Sequence, residues 1–149
     1  MYSNGLQSYR KTNVITADPK RLVLMCYEGA IENLKIAKNR YAEKDYEGKS
    51  NVIKKAQDII YELLCSLDFK RGGSIAENLE SLYNYMTRRI IHADVNADIG
   101  AIEEVIGMLN ELKSAWEGAF YGQAKETGLE METVGFDEER RQAAGYISV

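Results

Sequence analysis

A chain of 149 residues with 45% apolar and 28% charged side chains has room for one sizeable core, and the composition of a folded domain rather than of a disordered or fibrous chain. Its 19 basic and 23 acidic side chains leave a net charge of −4, a poor match for a nucleic-acid binder, and no apolar run approaches the roughly 18 residues of a membrane-spanning helix. Cys26 and Cys65 stand far apart without a CxxC pair, which implies neither a disulfide framework nor a thiolate zinc site and makes a reduced, cytoplasmic setting the expectation.

Met1 to Thr16 lack the basic flank and apolar stretch of a secretory signal. A first helix is expected from Asp18-Pro19, an N-cap followed by a proline at N1, where no hydrogen-bonding N–H is needed. Val23, Tyr27, Ala30, Leu34, Ala37 and Tyr41 then recur at steps of three and four. A second helix begins between Asp45 and Asn51 and presents Val52, Ala56, Ile59, Leu63 and Leu67, widened by Ile53, Ile60 and Leu64. Gly72-Gly73 breaks the chain, and Ser74 with Glu77 has the spacing of a capping box ahead of Ile75, Leu79, Leu82, Met86 and Ile90. The fourth stretch starts around Asn96 to Asp98 and carries Ile102, Val105, Leu109, Leu112 and Trp116.

Four helices of about 30 to 38 Å, joined by connections of a few residues, must run antiparallel to their sequence neighbours. The expected fold is all-α, an antiparallel up-down-up-down four-helix bundle over residues 18–119, with Leu63, Leu82, Leu109 and Trp116 in its core. An N-terminal segment, 1–17, precedes it. A tail, 120–149, follows it, with four glycines and three basic against six acidic side chains, and is expected to be weakly structured.

No catalytic constellation is legible. A di-iron bundle needs two Glu-x-x-His pairs, whereas the single histidine, His92, has Arg89 three residues before it. At a helix end among Arg88, Arg89 and Asp94, His92 reads as a surface histidine, and both cysteines read as buried, inert thiols beside apolar stripes. No metal or cofactor is expected. The basic doublets Lys54-Lys55, Lys70-Arg71 and Arg88-Arg89 have acidic neighbours and read as solvated helix faces.

The informative excess is apolar. The first helix fills one stripe and then adds Leu24 and Ile31 on one flank, with Leu22, Met25, Cys26, Gly29 and Ile36 on the other and beyond. This exceeds the roughly 100° that one bundle core uses, so something further covers it: a tightly packed neighbour or a bound partner. A mid-helix Gly29 costs about 1 kcal/mol against alanine and suits the close approach of another backbone. Ten tyrosines and the apolar residues Leu6, Tyr9, Val14 and Ile15 ahead of the bundle suit a surface that is covered at some times and wet at others.

Several segments in order resemble the flagellin-export chaperone family, FliS. They are Leu6-x-x-Tyr9, Ala17-Asp18-Pro19, Leu24 to Ala30, Ser66-Leu67-Asp68, Gly72 to Leu79, Leu82 to Arg89, Ala101 to Val105 and Ala115-Trp116. The resemblance runs from Met1 to about Phe120. Cys26 stands where the family usually has leucine, Glu28 where aspartate is usual, and Asp94 where asparagine is common.

The resemblance implies an antiparallel bundle that binds the disordered C-terminal segment of flagellin in the cytoplasm. That binding prevents premature polymerisation and presents flagellin to the cytosolic domain of the flagellar type III export gate. It further implies that Leu6 and Tyr9 contact the gate or cover the groove, while Leu22, Met25, Cys26, Gly29 and Ile36 are the expected flagellin-binding residues. Neither nucleic acid nor membrane insertion is expected, and the protein is expected to be a monomer or weak dimer. The reading from another class is a structural bundle that homodimerises through the same apolar surface.

Overall fold

The computed structural model describes residues 18–122. The expectations on the N-terminal segment, with Leu6 and Tyr9, and on residues 123–149 lie outside these residues. Four helices follow in order: α1 Pro19–Ala42, α2 Tyr46–Cys65, α3 Phe69–Asn96 and α4 Ile99–Tyr121. They form the all-α bundle expected from the sequence. No described helix is long and apolar enough to cross a membrane.

Each helix opens on an aspartate. Asp18, Asp45, Asp68 and Asp98 all accept from a backbone N–H of the first turn, which satisfies donors that have no partner inside the helix. Pro19 occupies the first helical position. The turn between α1 and α2 bends at Lys44, with φ 61°, and that between α3 and α4 at Ala97, with φ 54°. Packing runs round a ring, α1 on α2, α2 on α3, α3 on α4 and α4 on α1; it is most extensive between α1 and α2 and sparsest where α3 meets its neighbours.

Two boundaries differ from the sequence reading. Helix α3 starts at Phe69 under an Asp68 cap rather than at Ser74, whose hydroxyl makes no hydrogen bond among the described residues. The glycine pair still interrupts the ladder, because Gly73 has φ 52° and ψ −129°, a backbone that only glycine adopts at low cost. Helix α4 continues through Phe120, which is buried and stacks on Trp116 with ring centroids 5.3 Å apart.

The core takes the inward stripes of all four helices: Leu34 and Ala37, Ile60 and Leu63, Met86 and Ile90, Leu109 and Trp116. Leu82, expected there, is only half-buried at its edge. At its centre lies a polar cluster. The Trp116 Nε1–H of α4 donates to Tyr27 Oη of α1 at 3.0 Å, and Tyr27 Oη lies 2.5 Å from Tyr83 Oη of α3. Tyr27 thereby ties three helices, including its diagonal partner. Near the α1–α2 turn, Tyr41 Oη donates to the Ala93 carbonyl at 2.9 Å, and the buried Lys49 pairs with Asp94 at 2.5 Å. The hydrogen bond to Asp94 raises the Lys49 pKa despite the opposing effect of burial.

Candidate interaction surface

The seam between α1 and α4 is closed by charge. Lys38 pairs with Glu103 at 3.1 Å, Glu28 lies between Arg21 and Lys113, and the Lys20 ammonium sits 5.7 Å from the Phe120 ring centre. Such exposed pairs contribute about 0 to 1 kcal/mol each, so they shape the rim more than they stabilise it.

The flank of α1 that the sequence singles out faces α2. Residues 22–27 are buried without a break, so this part of the helix is covered on every side. Leu22 and Cys26 belong to the core cluster, Gly29 is buried, Met25 is 9% exposed and Ile36 is half-buried. Burial, with the Glu62 carboxylate of α2 as a lesser cause, pushes the Cys26 thiol up to about 12. The five residues thus share one flank, with Met25 and Ile36 at its outer edge and Cys26 sealed inside.

Cys65, read as buried, is exposed at the end of α2. At 100° per residue it lies roughly 140° round from the inward Ile60. Native protein treated with a thiol reagent near pH 8 should therefore label at Cys65 alone, with Cys26 reacting only after denaturation. Mass spectrometry of the labelled peptides checks this; rapid native labelling of Cys26 would mean that the α1–α2 flank opens readily.

His92 is exposed at the end of α3, as expected, with Nε2 3.1 Å from Asp98 Oδ2 and Nδ1 3.1 Å from Asn96 Nδ2. Among the described residues no three His, Cys, Asp or Glu side chains come together as a metal site.

The sequence reading missed two apolar surfaces. The first is the outer side of α2 and α3. Tyr61 at 51%, Ile91 at 50% and Val95 at 76% are exposed there. Ile91 and Val95 lie about 100° and 140° round from the inward Ile90, on the same flank as the Asp94 that reaches α2. Tyr46 and Phe69 stand exposed at the first positions of α2 and α3.

The second is the seam between α3 and α4, where Ile75 and Leu82 of α3 and Met108 and Leu112 of α4 are half-buried against the core. Its upper end is closed by Glu104, which accepts from Tyr85 Oη at 2.5 Å and from Arg89 Nε at 2.8 Å. These two bonds, Tyr85 first, hold the Glu104 carboxyl below its ordinary range. The available signal was angular: Leu82 sits roughly 80° from Ile90, at the edge of the stripe rather than on it.

A half-buried apolar seam and an outer side carrying Tyr61, Ile91 and Val95 offer apolar area that a protein partner can cover. The comparisons with known proteins agree. The family model described as flagellar protein FliS matches residues 2–123. The chain belongs to the FliS family. It is 32% identical over 123 residues to the flagellar secretion chaperone FliS of Bacillus subtilis, covering 83% of this chain and 91% of that protein. It is 37% identical over 123 residues to the FliS of Salmonella typhimurium, with 78% and 91% covered, and 36% identical over 117 residues to that of Vibrio cholerae, with 76% and 86% covered. These FliS relatives are chaperones, and this chain is likewise not an enzyme.

Proposed function

We propose that this FliS-family protein is a cytoplasmic export chaperone that binds the disordered C-terminal segment of flagellin, prevents its premature polymerisation and presents it to the cytosolic domain of the flagellar type III export gate. Family membership over residues 2–123 carries this reading. The apolar surface of the bundle supplies the chemistry it requires: a disordered client gains order only where burying its apolar side chains offsets the entropy it loses.

The proposed flagellin-binding flank of α1 comprises Leu22, Met25, Cys26, Gly29 and Ile36; Met25 and Ile36, at its outer edge, are the two placed to touch the client, while the buried Leu22, Cys26 and Gly29 support the flank from within. The gate contact is assigned to Leu6 and Tyr9.

Titration calorimetry of the full chain with a flagellin C-terminal peptide tests the reading. One-to-one binding with a negative heat-capacity change is expected, because apolar area leaves water, together with a gain of helix in circular dichroism. No binding at about 50 µM peptide, a dissociation constant already weak for a folding-coupled complex, would sink the chaperone reading. Self-association in sedimentation without peptide binding would favour the homodimeric bundle instead.

A further inference from the structure

Helix α3 is held unevenly along its length. From Tyr83 upward it is tied to three helices by polar bonds: Tyr83 to Tyr27 of α1, Tyr85 and Arg89 to Glu104 of α4, and Asp94 to Lys49 of α2. From residue 74 to residue 82, no side chain makes a hydrogen bond or ion pair to another helix among the described residues. Only apolar contacts hold this stretch, through the buried Ala76 and Leu79 and the half-buried Ile75 and Leu82.

Below it stands Gly73, with its positive φ and with no atom within 4 Å of the place a Cβ would take. The ladder is therefore interrupted at one end of the stretch and directional side-chain bonds begin at the other, so what lies between can shift against its neighbours by bending the helix, without breaking a side-chain hydrogen bond or ion pair.

We infer that residues 74–82 form a hinged wall of the α3–α4 seam, pivoting at Gly73 and arrested at the Tyr83 hydroxyl. Outward motion widens the slot between Ile75 and Leu82 on one side and Met108 and Leu112 on the other, four side chains that the core leaves half-buried. The motion does not depend on the chaperone reading above.

Hydrogen exchange of the full chain, read by mass spectrometry on overlapping peptides, tests the wall. The first amides after a break exchange fast in any helix, so residues 77–82 carry the result. Without client they should exchange about tenfold or more faster than residues 84–93. Tyr83→Phe removes the arrest and should carry fast exchange upward past Tyr83 until the Tyr85 and Arg89 bonds to Glu104 stop it, while α1 and α2 keep their protection. Tyr85→Phe, which leaves Arg89 on Glu104, should not move the boundary.

Uniform protection along α3, or a boundary that Tyr83→Phe leaves in place, would overturn the inference. A flagellin peptide that fails to bind leaves this exchange pattern untouched, so the two failures are told apart.

Discussion

Leu109→Ala should lower the stability of the bundle by about 2 to 5 kcal/mol, whereas Leu82→Ala should cost only roughly 1 to 1.5 kcal/mol. Leu109 has no exposed surface and sits in the core cluster, so truncation forfeits the full transfer energy of its side chain and leaves a cavity. Leu82 is already half in water at the α3–α4 seam. Its removal costs part of the transfer term and opens no closed void. Urea unfolding of the two variants under one set of conditions checks the ratio. A Leu109 loss below about 1 kcal/mol would mean that α4 presents a different face inward. A Leu82 loss equal to that of Leu109 would mean that the seam is shut in solution.

The contrast between these two leucines shows what was legible in the sequence. Apolar steps of three and four locate a stripe, and Leu109 lies at its centre. They do not say how closely the next helix approaches its edge, which decides whether Leu82 is core or rim. Starts were legible where a cap and a proline coincide, as at Asp18-Pro19. The start of α3 was not, because Gly72-Gly73 reads as the end of a loop, while a turn of helix already capped by Asp68 precedes it. Gly73 does break the ladder, so the signal was right about the backbone and wrong about which side of it the helix begins.

The candidate surface was legible in kind more than in place. Surplus apolarity on α1 is real, since residues 22–27 are buried without interruption. Yet a count of apolar residues cannot separate a flank awaiting a partner from one that the adjacent helix already covers, and Glu62 stands close enough to Cys26 to disturb its thiol. The residues that do face water, Ile91 and Val95, follow the last turns of a good amphipathic stripe. Beside Ile90 they looked like more of the same core. Their roughly 100° and 140° offsets were readable, but nothing local distinguishes an offset apolar residue that meets a neighbour from one that meets solvent.

The polar centre of the core gives the second large effect: Tyr27→Phe should cost about 2 to 4 kcal/mol, and Tyr83→Phe less than about 1 kcal/mol, although the same oxygen atom is deleted from two equally buried rings. The indole N–H can only donate, so Tyr27 Oη must accept from Trp116. Three protons, one on nitrogen and two on oxygen, then share two hydrogen bonds, and one hydroxyl proton is left over whichever tyrosine donates to the other. Phenylalanine at 27 removes both the acceptor of the indole and the hydrogen-bond partner of Tyr83. Phenylalanine at 83 leaves Tyr27 accepting from Trp116, with one leftover proton as before.

Both hydroxyls are raised above the ordinary tyrosine range near pH 10, chiefly by burial, which disfavours the phenolate. The stabilisation linked to this shift is fully present below about pH 10 and is lost as pH rises toward the folded values, because the unfolded chain releases its protons first. Each tyrosine so linked steepens the alkaline fall by about 1.4 kcal/mol per pH unit, and either substitution should remove one such contribution. Equal costs for the two variants at neutral pH, or an alkaline limb unchanged by both, would show that Tyr27 is not the shared acceptor that joins α1, α3 and α4.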